Sequence, residues 1–501
     1  MDSVSQIPVL SEDKAEPSLF DMYPNTLPVA SRRSFEISVD PMQNDKATEI
    51  RLFTFQRPHM RAFHYAWLSF FVAFFGWFSI PPLMPTIKEQ FSLTDDQVAN
   101  SNIVSVAGTI FGRVIVGPLC DRYGSRTVQA TLLVLGAIPV ASASLAVSYE
   151  GLMAVRFFIG LVGCSFVSTA YWTTVMFSKE VVGSANAIAA GWGNLGAGVT
   201  YLVTPLLFDL VTLNGEISDN YGWRITLLFP AVLMVFIGIC LFLYSDDCPQ
   251  GNYVDLRKRY AMATNPRTDI KRGFVVVASM PVSWILAFQY ACSFGVELQV
   301  HNVLSLYYYE DFRRPDCDPT TDIDECRLLT QTKASLISSL FGLMCIFARA
   351  IGGYASDVAN RHYDMKGRIV VQLVVFTCQA VFLLLFSQAT SIGWSIPCLV
   401  AFGFFAQACT GSTYGIVPYV SPAFPGVTAG FVGAGGNVGG LCWGFLFKGV
   451  GNRAASFEYL SVIVAGSALL SMCIHVEGER KLWGADEAVH GGRRRLRTAR
   501  A

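Results

Sequence analysis

Two stretches of the sequence, 111-FGRVIVGPLCD-121 and 347-FARAIGGYASD-357, carry the same pattern in different halves of the chain. Phe, Arg, Ile, Gly and Asp recur at identical offsets, and the stretches are 236 residues apart. Each belongs to an apolar run that is long enough to span a membrane as a helix. The repeat predicts two duplicated halves, with these stretches at equivalent positions.

The composition is typical of a membrane protein. Of 501 residues, 52% are hydrophobic and 15% are charged, whereas a soluble domain carries about a quarter charged residues. The mean hydropathy is +0.43. The apolar runs that are long enough to cross a bilayer as helices are residues 63–85, 97–118, 128–148, 151–177, 182–208, 224–244, 274–304, 333–356, 368–388, 393–418, 424–447 and 457–476. We therefore predict an all-α protein in a lipid bilayer, with twelve transmembrane helices in two pseudo-symmetric six-helix halves.

Polar segments set the predicted domain limits, and the longest internal one divides the runs six and six. The predicted units are a disordered tail over 1–62, an N-terminal half over 63–244, a central loop over 245–272, a C-terminal half over 273–476 and a basic tail over 477–501. Connections on the side of the tails hold twelve Lys and Arg residues against eight on the other side, and each tail adds seven. This asymmetry predicts that both termini are cytoplasmic. The net charge of +0 gives no signal for a nucleic-acid partner.

A second repeat consists of 191-GWGNLGAG-198 and 433-GAGGNVGG-440, in the fifth and eleventh runs. Asn194 and Asn437 occupy equivalent places in it. Small residues let membrane helices approach closely, which explains the glycines. Packing does not explain a duplicated asparagine, whose amide can orient an oxyanion or a guanidinium without adding charge.

Three arginines lie within the apolar runs, and two of them, Arg113 and Arg349, are equivalent in the first repeat. Charges at membrane depth are costly and usually mark a substrate or ion path. The sequence shows no obvious intramembrane carboxylate beside this pair, so two facing guanidiniums predict an anionic ligand. Arg156, near the end of its run, is predicted to have a structural role, with its head reaching outward.

Other kinds of chemistry find little support in the sequence. We predict no enzyme, no metal site and no cofactor, because no nucleophile–base pair, phosphate-binding loop or Cys/His cluster with metal spacing stands out. Most of the 13 cysteines lie in apolar runs, where cysteine behaves as a small hydrophobic residue. Cys317 and Cys326, in an acidic polar loop, are candidate disulfide partners, and the alternative that they are free stays open.

The segment 117-GPLCDRYGSR-126 resembles the signature between the second and third spans of the major facilitator superfamily. The two Gly-Asn stretches resemble the paired signatures of the nitrate/nitrite porter family. Segments 290-YACSFGVELQVHNVLSLYYYEDF-312 and 347-FARAIGGYASDVA-359 are similar to the eukaryotic high-affinity nitrate transporters of plants, algae and fungi. The resemblance covers roughly residues 63–476. The cytoplasmic gate residues that it implies are Asp121, Arg122, Arg126 and, at the repeated position, Asp357.

The resemblance also implies a central site for a planar anion. The implied substrate-binding residues are Arg113, Arg349, Asn194, Asn437, Tyr290, Phe294, Phe74 and Phe166. Tyr290 is expected to donate a hydrogen bond. The phenyl rings are expected to exclude water and larger tetrahedral anions.

Nitrate is the implied substrate, with nitrite as a second. Importing one negative charge against −100 mV costs about 2.3 kcal/mol, so accumulation requires at least two co-transported cations or counter-exchange. The resemblance favours protons, with Glu297 and His301 as candidate carriers. We predict proton-coupled import across the plasma membrane by alternating access. A facilitator or exchanger of another small anion, a non-transporting nitrate sensor, and an accessory subunit contacting the acidic loop 310–327 stay open.

Overall fold

The computed structural model describes residues 35–178, 181–213, 215–258, 270–314, 326–421, 424–476, 479 and 482. These residues are almost entirely helical, and one small antiparallel sheet pairs β1 (Val39–Asp40) with β2 (Lys46–Ala47). The helices are α1 (His59–Trp77), α2 (Met84–Gln90), α3 (Asp95–Tyr123), α4 (Ser125–Ser142), α5 (Tyr149–Val162), α6 (Ser165–Met176), α7 (Val182–Val211), α8 (Asp219–Thr226), α9 (Leu228–Tyr244), α10 (Tyr253–Lys258), α11 (Ile270–Ser279), α12 (Pro281–Tyr290), α13 (Val296–Glu310), α14 (Gln331–Leu343), α15 (Ala348–Ser387), α16 (Ile392–Val420), α17 (Pro425–Val450) and α18 (Arg453–Leu470). A π-helical turn, Ala291–Gly295, joins α12 to α13.

The helices account for all twelve predicted apolar runs. In the described part of the chain, nine helices are long and apolar enough to cross a membrane, and the bent pair Arg272–Ser279 and Pro281–Glu310 adds a tenth. One of the nine, Gln331–Ser387, contains two segments, because Asp364 interrupts it with non-helical angles (φ 54°, ψ −147°). The 26-residue α17 matches the eleventh run. The predicted all-α membrane fold is confirmed, and the helices are consistent with twelve crossings.

The seventh span begins later than the predicted run at 274–304. The chain bends by 84° after Ser279, and α12 starts at Pro281. Met280 takes extended backbone angles (φ −85°, ψ 117°), because the residue before a proline is kept out of the helical region and proline lacks an N–H. The span then continues through the π-helical turn to Glu310.

The prediction of a disordered tail reaching residue 62 is wrong for residues 35–58, which form the hairpin and pack on the N-terminal half. Lys46 Nζ donates to the carbonyl of Thr174 at 2.8 Å, and Ala47 forms a bridge with Phe177. Arg57 forms a two-point ion pair with Asp246, at 2.6 and 2.9 Å. Residues 1–34 lie outside the described residues.

The two ends of the bundle differ in how the halves are joined. We call the end that bears residues 35–58 and 245–258 the terminal face, and the opposite end the distal face. Ion pairs at the distal face that join the halves are Lys88–Glu310 at 2.7 Å, Arg327–Glu89 at 3.1 Å and Arg453–Asp95 at 3.0 Å. Toward the terminal face, an apolar cavity of about 320 Å³ lies between α7 and α15.

Candidate functional site

Arg113 on α3 lies where the two halves meet. Its guanidinium stands 5.5 Å from the ring centre of Phe166 and 5.6 Å from that of Phe294, one ring from each half. Nη1 donates to the carbonyl of Gly433 on α17 at 3.3 Å. Nε and Nη2 are buried and have no partner among the described residues. Nη1 of the guanidinium is therefore hydrogen-bonded, and the edge formed by Nε and Nη2, called the free edge below, has no partner in the described structure.

Arg349 on α15 has a different environment, although the repeat makes it the equivalent of Arg113. It is 3% exposed, and its Nη2 donates to Glu297 Oε2 at 2.8 Å. Nε and Nη2 both donate to Gln407 Oε1, at 3.2 and 2.8 Å. The expectation that no carboxylate accompanies the arginine pair is wrong, since Glu297 neutralises this one. The available signal was that Glu297 follows the predicted site residue Tyr290 by only seven residues in the same span.

A stacked aromatic pair forms the C-terminal wall of the site. The rings of Tyr290 and Phe294 are 5.3 Å apart with planes 15° from parallel, and Tyr414 meets Tyr290 edge-on at 5.2 Å. Phe294 lies in the π-helical turn, and such turns are frequent at functional sites. The structure thus brings both predicted residues of the seventh span close to Arg113.

The N-terminal wall contains a ring that the sequence did not single out. Phe166 is at the site, but its ring contacts Phe70 at 5.7 Å, and Phe70 in turn contacts Phe74 at 4.5 Å. Phe74 is buried one ring further away, and its role as a wall of the site stays a prediction. The available signal was the four-residue spacing of Phe70 and Phe74, which Tyr290 and Phe294 repeat 220 residues later.

The two signature asparagines make the same local contact. Nδ2 of Asn194 donates to the carbonyl of Ala190 at 3.0 Å, and Nδ2 of Asn437 donates to that of Gly433 at 3.2 Å. Both side chains are 1% exposed, and neither Oδ1 has a partner in the described part of the chain. The Gly433 carbonyl also accepts from Arg113. Asn437 therefore shares an acceptor with Arg113.

The signature glycines allow close packing on several sides. A Cβ on Gly198 would lie 2.5 Å from the carbonyl carbon of Gly342 on α14, in the other half. Gly196 faces the backbone of α1 in the same half, and Gly436 faces Tyr290, where a Cβ would lie 2.6 Å from Cδ1. The α7 glycines thus permit contact both within one half and between the halves.

We expect Gly198→Val to reduce the transport activity that the sequence resemblance implies by at least about tenfold, because the added side chain would hold α7 away from α14. Gly183→Val on the same helix is the control, since a Cβ there meets nothing within 4 Å. Substrate uptake by reconstituted vesicles checks the prediction, with protein amounts matched. Equal uptake by the two variants would contradict it.

The predicted gate residue Arg126 contacts the central loop, and Asp357 forms a contact within its own half. The backbone N–H of Arg126 donates to Asp247 Oδ1 at 2.9 Å, and its Nε lies 3.8 Å from Oδ2. Gly124, with φ 84°, packs its backbone against the same carboxylate, where a Cβ would overlap with Asp247. In the other half, Asp357 pairs with Arg368 at 2.8 Å.

Two further gate predictions have different outcomes. Arg122 is exposed, with its guanidinium 5.3 Å from the Tyr123 ring centre. The side chain of Asp121 lies outside the described residues. The gate assignments therefore stay predictions.

Burial raises the pKa of Asp247 to about 6, against lowering contributions from the N–H of Tyr253 and from Arg126. A carboxyl whose pKa is higher in the folded state stabilises the fold below its unfolded pKa, and this contribution is lost as pH rises toward 6. We expect the melting temperature of the purified protein to fall between pH 5 and pH 7. Asp247→Asn should weaken this pH dependence; an identical pH profile in the variant would contradict the assignment.

The remaining predicted site residues are His301 and the cysteine pair. His301 is buried, with Phe78, Phe341 and Tyr201 around its ring at 5.2, 5.3 and 5.8 Å. Cys326 is disulfide-bonded, while its predicted partner Cys317 lies outside the described residues, so the pairing stays a prediction. Within the ranges the structure describes, no cluster of three or more His, Cys, Asp or Glu could hold a metal.

Two helical halves, each with an arginine at an equivalent position of an internal repeat, define a membrane transporter built by duplication. The chain belongs to the Major Facilitator Superfamily, whose family model matches residues 66–472.

Comparisons with known proteins agree with this assignment. High affinity nitrate transporter 2.5 of Arabidopsis thaliana is 36% identical over 422 residues, covering 84% of this chain and 80% of that protein. Nitrate/nitrite transporter NrtP of Nostoc punctiforme is 25% identical over 469 residues, covering 79% and 88%. The xylose transporter XylE from E. coli, in a partially occluded inward open conformation, superposes with a TM-score of 0.59 at 12% identity, covering 85% and 100%, which shows the fold alone. The resemblance to nitrate transporters of this superfamily is confirmed, and so is the prediction that the protein is not an enzyme.

Proposed function

We propose that this protein imports nitrate, with nitrite as a second substrate, by proton symport and alternating access. The observation that carries the proposal is the free edge of Arg113. Its Nε and Nη2 form the fork that binds an oxyanion at two points, and neither has a partner in the described structure. The relatives named as nitrate transporters support the same substrate.

The surroundings of Arg113 favour a small planar anion of single charge. A guanidinium fork is planar and matches a trigonal oxyanion lying in its plane. Phe166 and Phe294 stand within 5.6 Å of the guanidinium and restrict the space beside it. A doubly charged tetrahedral anion would bring more volume and more charge than Arg113 compensates at this site.

The ion pair between Glu297 and Arg349 supports coupling to protons. An anion that approaches Arg349 competes with Glu297 for the same Nη2. A displaced carboxylate without a partner is costly inside the membrane, and taking up a proton removes that cost. The charged or titratable groups around Glu297 are Arg349, Cys345, Tyr290 and, one helical turn away, His301. Glu297 thus links anion binding to proton binding.

Driving the cycle with the membrane potential requires a second cation. One proton on Glu297 with one nitrate moves no net charge, so a membrane potential cannot drive that cycle. A second proton makes the cycle electrogenic, and each charge then gains about 2.3 kcal/mol per 100 mV. His301 lies four residues beyond Glu297, one turn toward the distal face, and is the candidate for that proton.

The decisive experiment is labelled-nitrate uptake into proteoliposomes, with a pH gradient and a membrane potential imposed separately and together. We expect uptake that increases with either gradient. Absence of nitrate uptake under every gradient would contradict nitrate transport and favour a sensor on this scaffold. Uptake that ignores the pH gradient would remove proton coupling and favour a facilitator or an exchanger.

The orientation and membrane are part of the proposal. We place both termini in the cytoplasm and the protein in the plasma membrane, on the distribution of Lys and Arg and on the family resemblance. The distal face is then extracellular, and the ion pairs between the halves close the outer side. Contact with an accessory subunit stays a prediction.

A further inference from the structure

Arg156 on α5 is buried between the halves, contrary to the prediction that its head reaches outward. It is 1% exposed. Nε donates to the carbonyl of Ser101 at 3.2 Å, and Nη2 donates to the amide oxygens of Asn102 and Asn302, the latter at 3.3 Å. Within the described residues, Nη1 has no partner, and the other nitrogens of Arg156 contact only carbonyl and amide oxygens. Its positive charge is therefore not neutralised by the contacts that the structure describes.

Two other buried polar groups without described partners lie beside it. The hydroxyl of Tyr201 on α7 is fully buried, and Nε2 of His301 on α13 is in a side chain 1% exposed. The two rings are stacked at 5.8 Å, and His301 directly precedes Asn302, whose amide oxygen contacts Arg156. Three groups able to donate hydrogen bonds are thus gathered at one place, although unpaired buried polar groups are costly.

The contact between Arg156 and Asn302 joins the two halves. Asn302 lies five residues beyond Glu297 on α13, toward the distal face. Alternating access requires the halves to separate at that face. The Arg156–Asn302 bond must then break, which leaves an unneutralised guanidinium facing the opening. In the closed arrangement, Nη2 of Arg156 donates to the amide oxygen of Asn302. When the halves separate, an oxygen of an anion would accept the same hydrogen bond.

We propose that Arg156 and Tyr201, with His301 beside them, form a second anion site that takes up a small oxyanion from the distal side. The anion would bind here before it reaches Arg113 and Arg349. This inference rests on the proposed nitrate transport and adds a site to it. The site is not duplicated by the repeat. The residue 236 positions beyond Asn102 is Ser338, which has no amide, and Asn302 comes from the C-terminal half.

The sharpest test is Tyr201→Phe. The hydroxyl has no described partner, so a structural role predicts unchanged transport and equal or greater thermal stability. A binding role predicts a KM for nitrate on the distal side raised about tenfold, as expected for the loss of one hydrogen bond to a charged ligand. The KM for nitrate on the terminal side should stay within about twofold of wild type. Vesicles of known orientation, with nitrate varied on one side at a time, provide both values.

Arg156→Gln and Asn302→Ala complete the test. Arg156→Gln should raise the distal-side KM more than Tyr201→Phe does. Asn302→Ala removes the bond between the halves but leaves the proposed anion ligands, so its distal-side KM should match wild type.

Each outcome bears on the inference separately from the proposed function. A wild type that transports nitrate, combined with a Tyr201→Phe variant whose distal-side KM is unchanged, overturns the second site. Asn302→Ala raising KM as Arg156→Gln does would also overturn it, by showing that Arg156 acts in closing the halves. A wild type that transports no nitrate under any gradient contradicts the proposed function itself.

Discussion

Arg113→Lys is expected to reduce kcat/KM for nitrate uptake by about 100-fold while the protein still folds. The guanidinium of Arg113 presents Nε and Nη2 side by side, and both are free of described partners. An ammonium keeps the positive charge but offers no planar fork, so the two-point contact with a trigonal anion is lost. A bidentate charged contact contributes about 3 kcal/mol, which accounts for a loss of this size.

Initial rates of labelled-nitrate uptake in proteoliposomes measure this effect. Arg51→Lys serves as the matched control, because Arg51 forms a surface ion pair with Glu49 far from the site. Arg349→Lys should also lose most transport, because Gln407 and Glu297 are held by the planar head of Arg349. Wild-type KM in Arg113→Lys would refute the role assigned to its free edge.

The membrane fold could be predicted from the sequence because its signals are long and repeated. An apolar run of about 20 residues has few alternatives to a spanning helix, and the duplicated Arg and Asn positions place four residues at once. Short elements gave no such signal. Strands of two residues, as in Val39–Asp40 and Lys46–Ala47, show no periodicity, so the sequence predicts a disordered tail where the structure has a hairpin.

Contacts between helices were harder to predict than the helices themselves. The sequence identified Arg349 and Glu297 separately, but their pairing depends on how α13 and α15 are rotated against each other, 52 residues apart in the chain. The burial of Arg156 likewise depends on amides from two other helices, Asn102 and Asn302. Without those partners, an arginine near the end of a span is expected to reach toward water.

Glu297→Gln is expected to abolish nitrate accumulation driven by a pH gradient while leaving nitrate–nitrate exchange intact. Glutamine has the same shape and still offers an oxygen to Arg349, but it cannot carry a proton. Arg349 also loses its counter-charge, so an anion no longer competes with a carboxylate. We therefore expect the variant to bind nitrate more tightly than wild type, by about tenfold.

Two measurements on the same vesicles separate coupling from binding. Uptake driven by a pH gradient should fall to the level seen without a gradient. Counterflow of labelled nitrate against unlabelled nitrate should continue at a rate within about threefold of wild type. Glu36→Gln, an exposed carboxylate on the terminal face, is the control and should leave both activities unchanged. Loss of exchange together with loss of uptake would indicate that Glu297 only holds Arg349 in place. Persistence of pH-driven accumulation would contradict the role of Glu297 as a proton carrier and would leave His301 as the candidate, because a glutamine at position 297 cannot carry a proton.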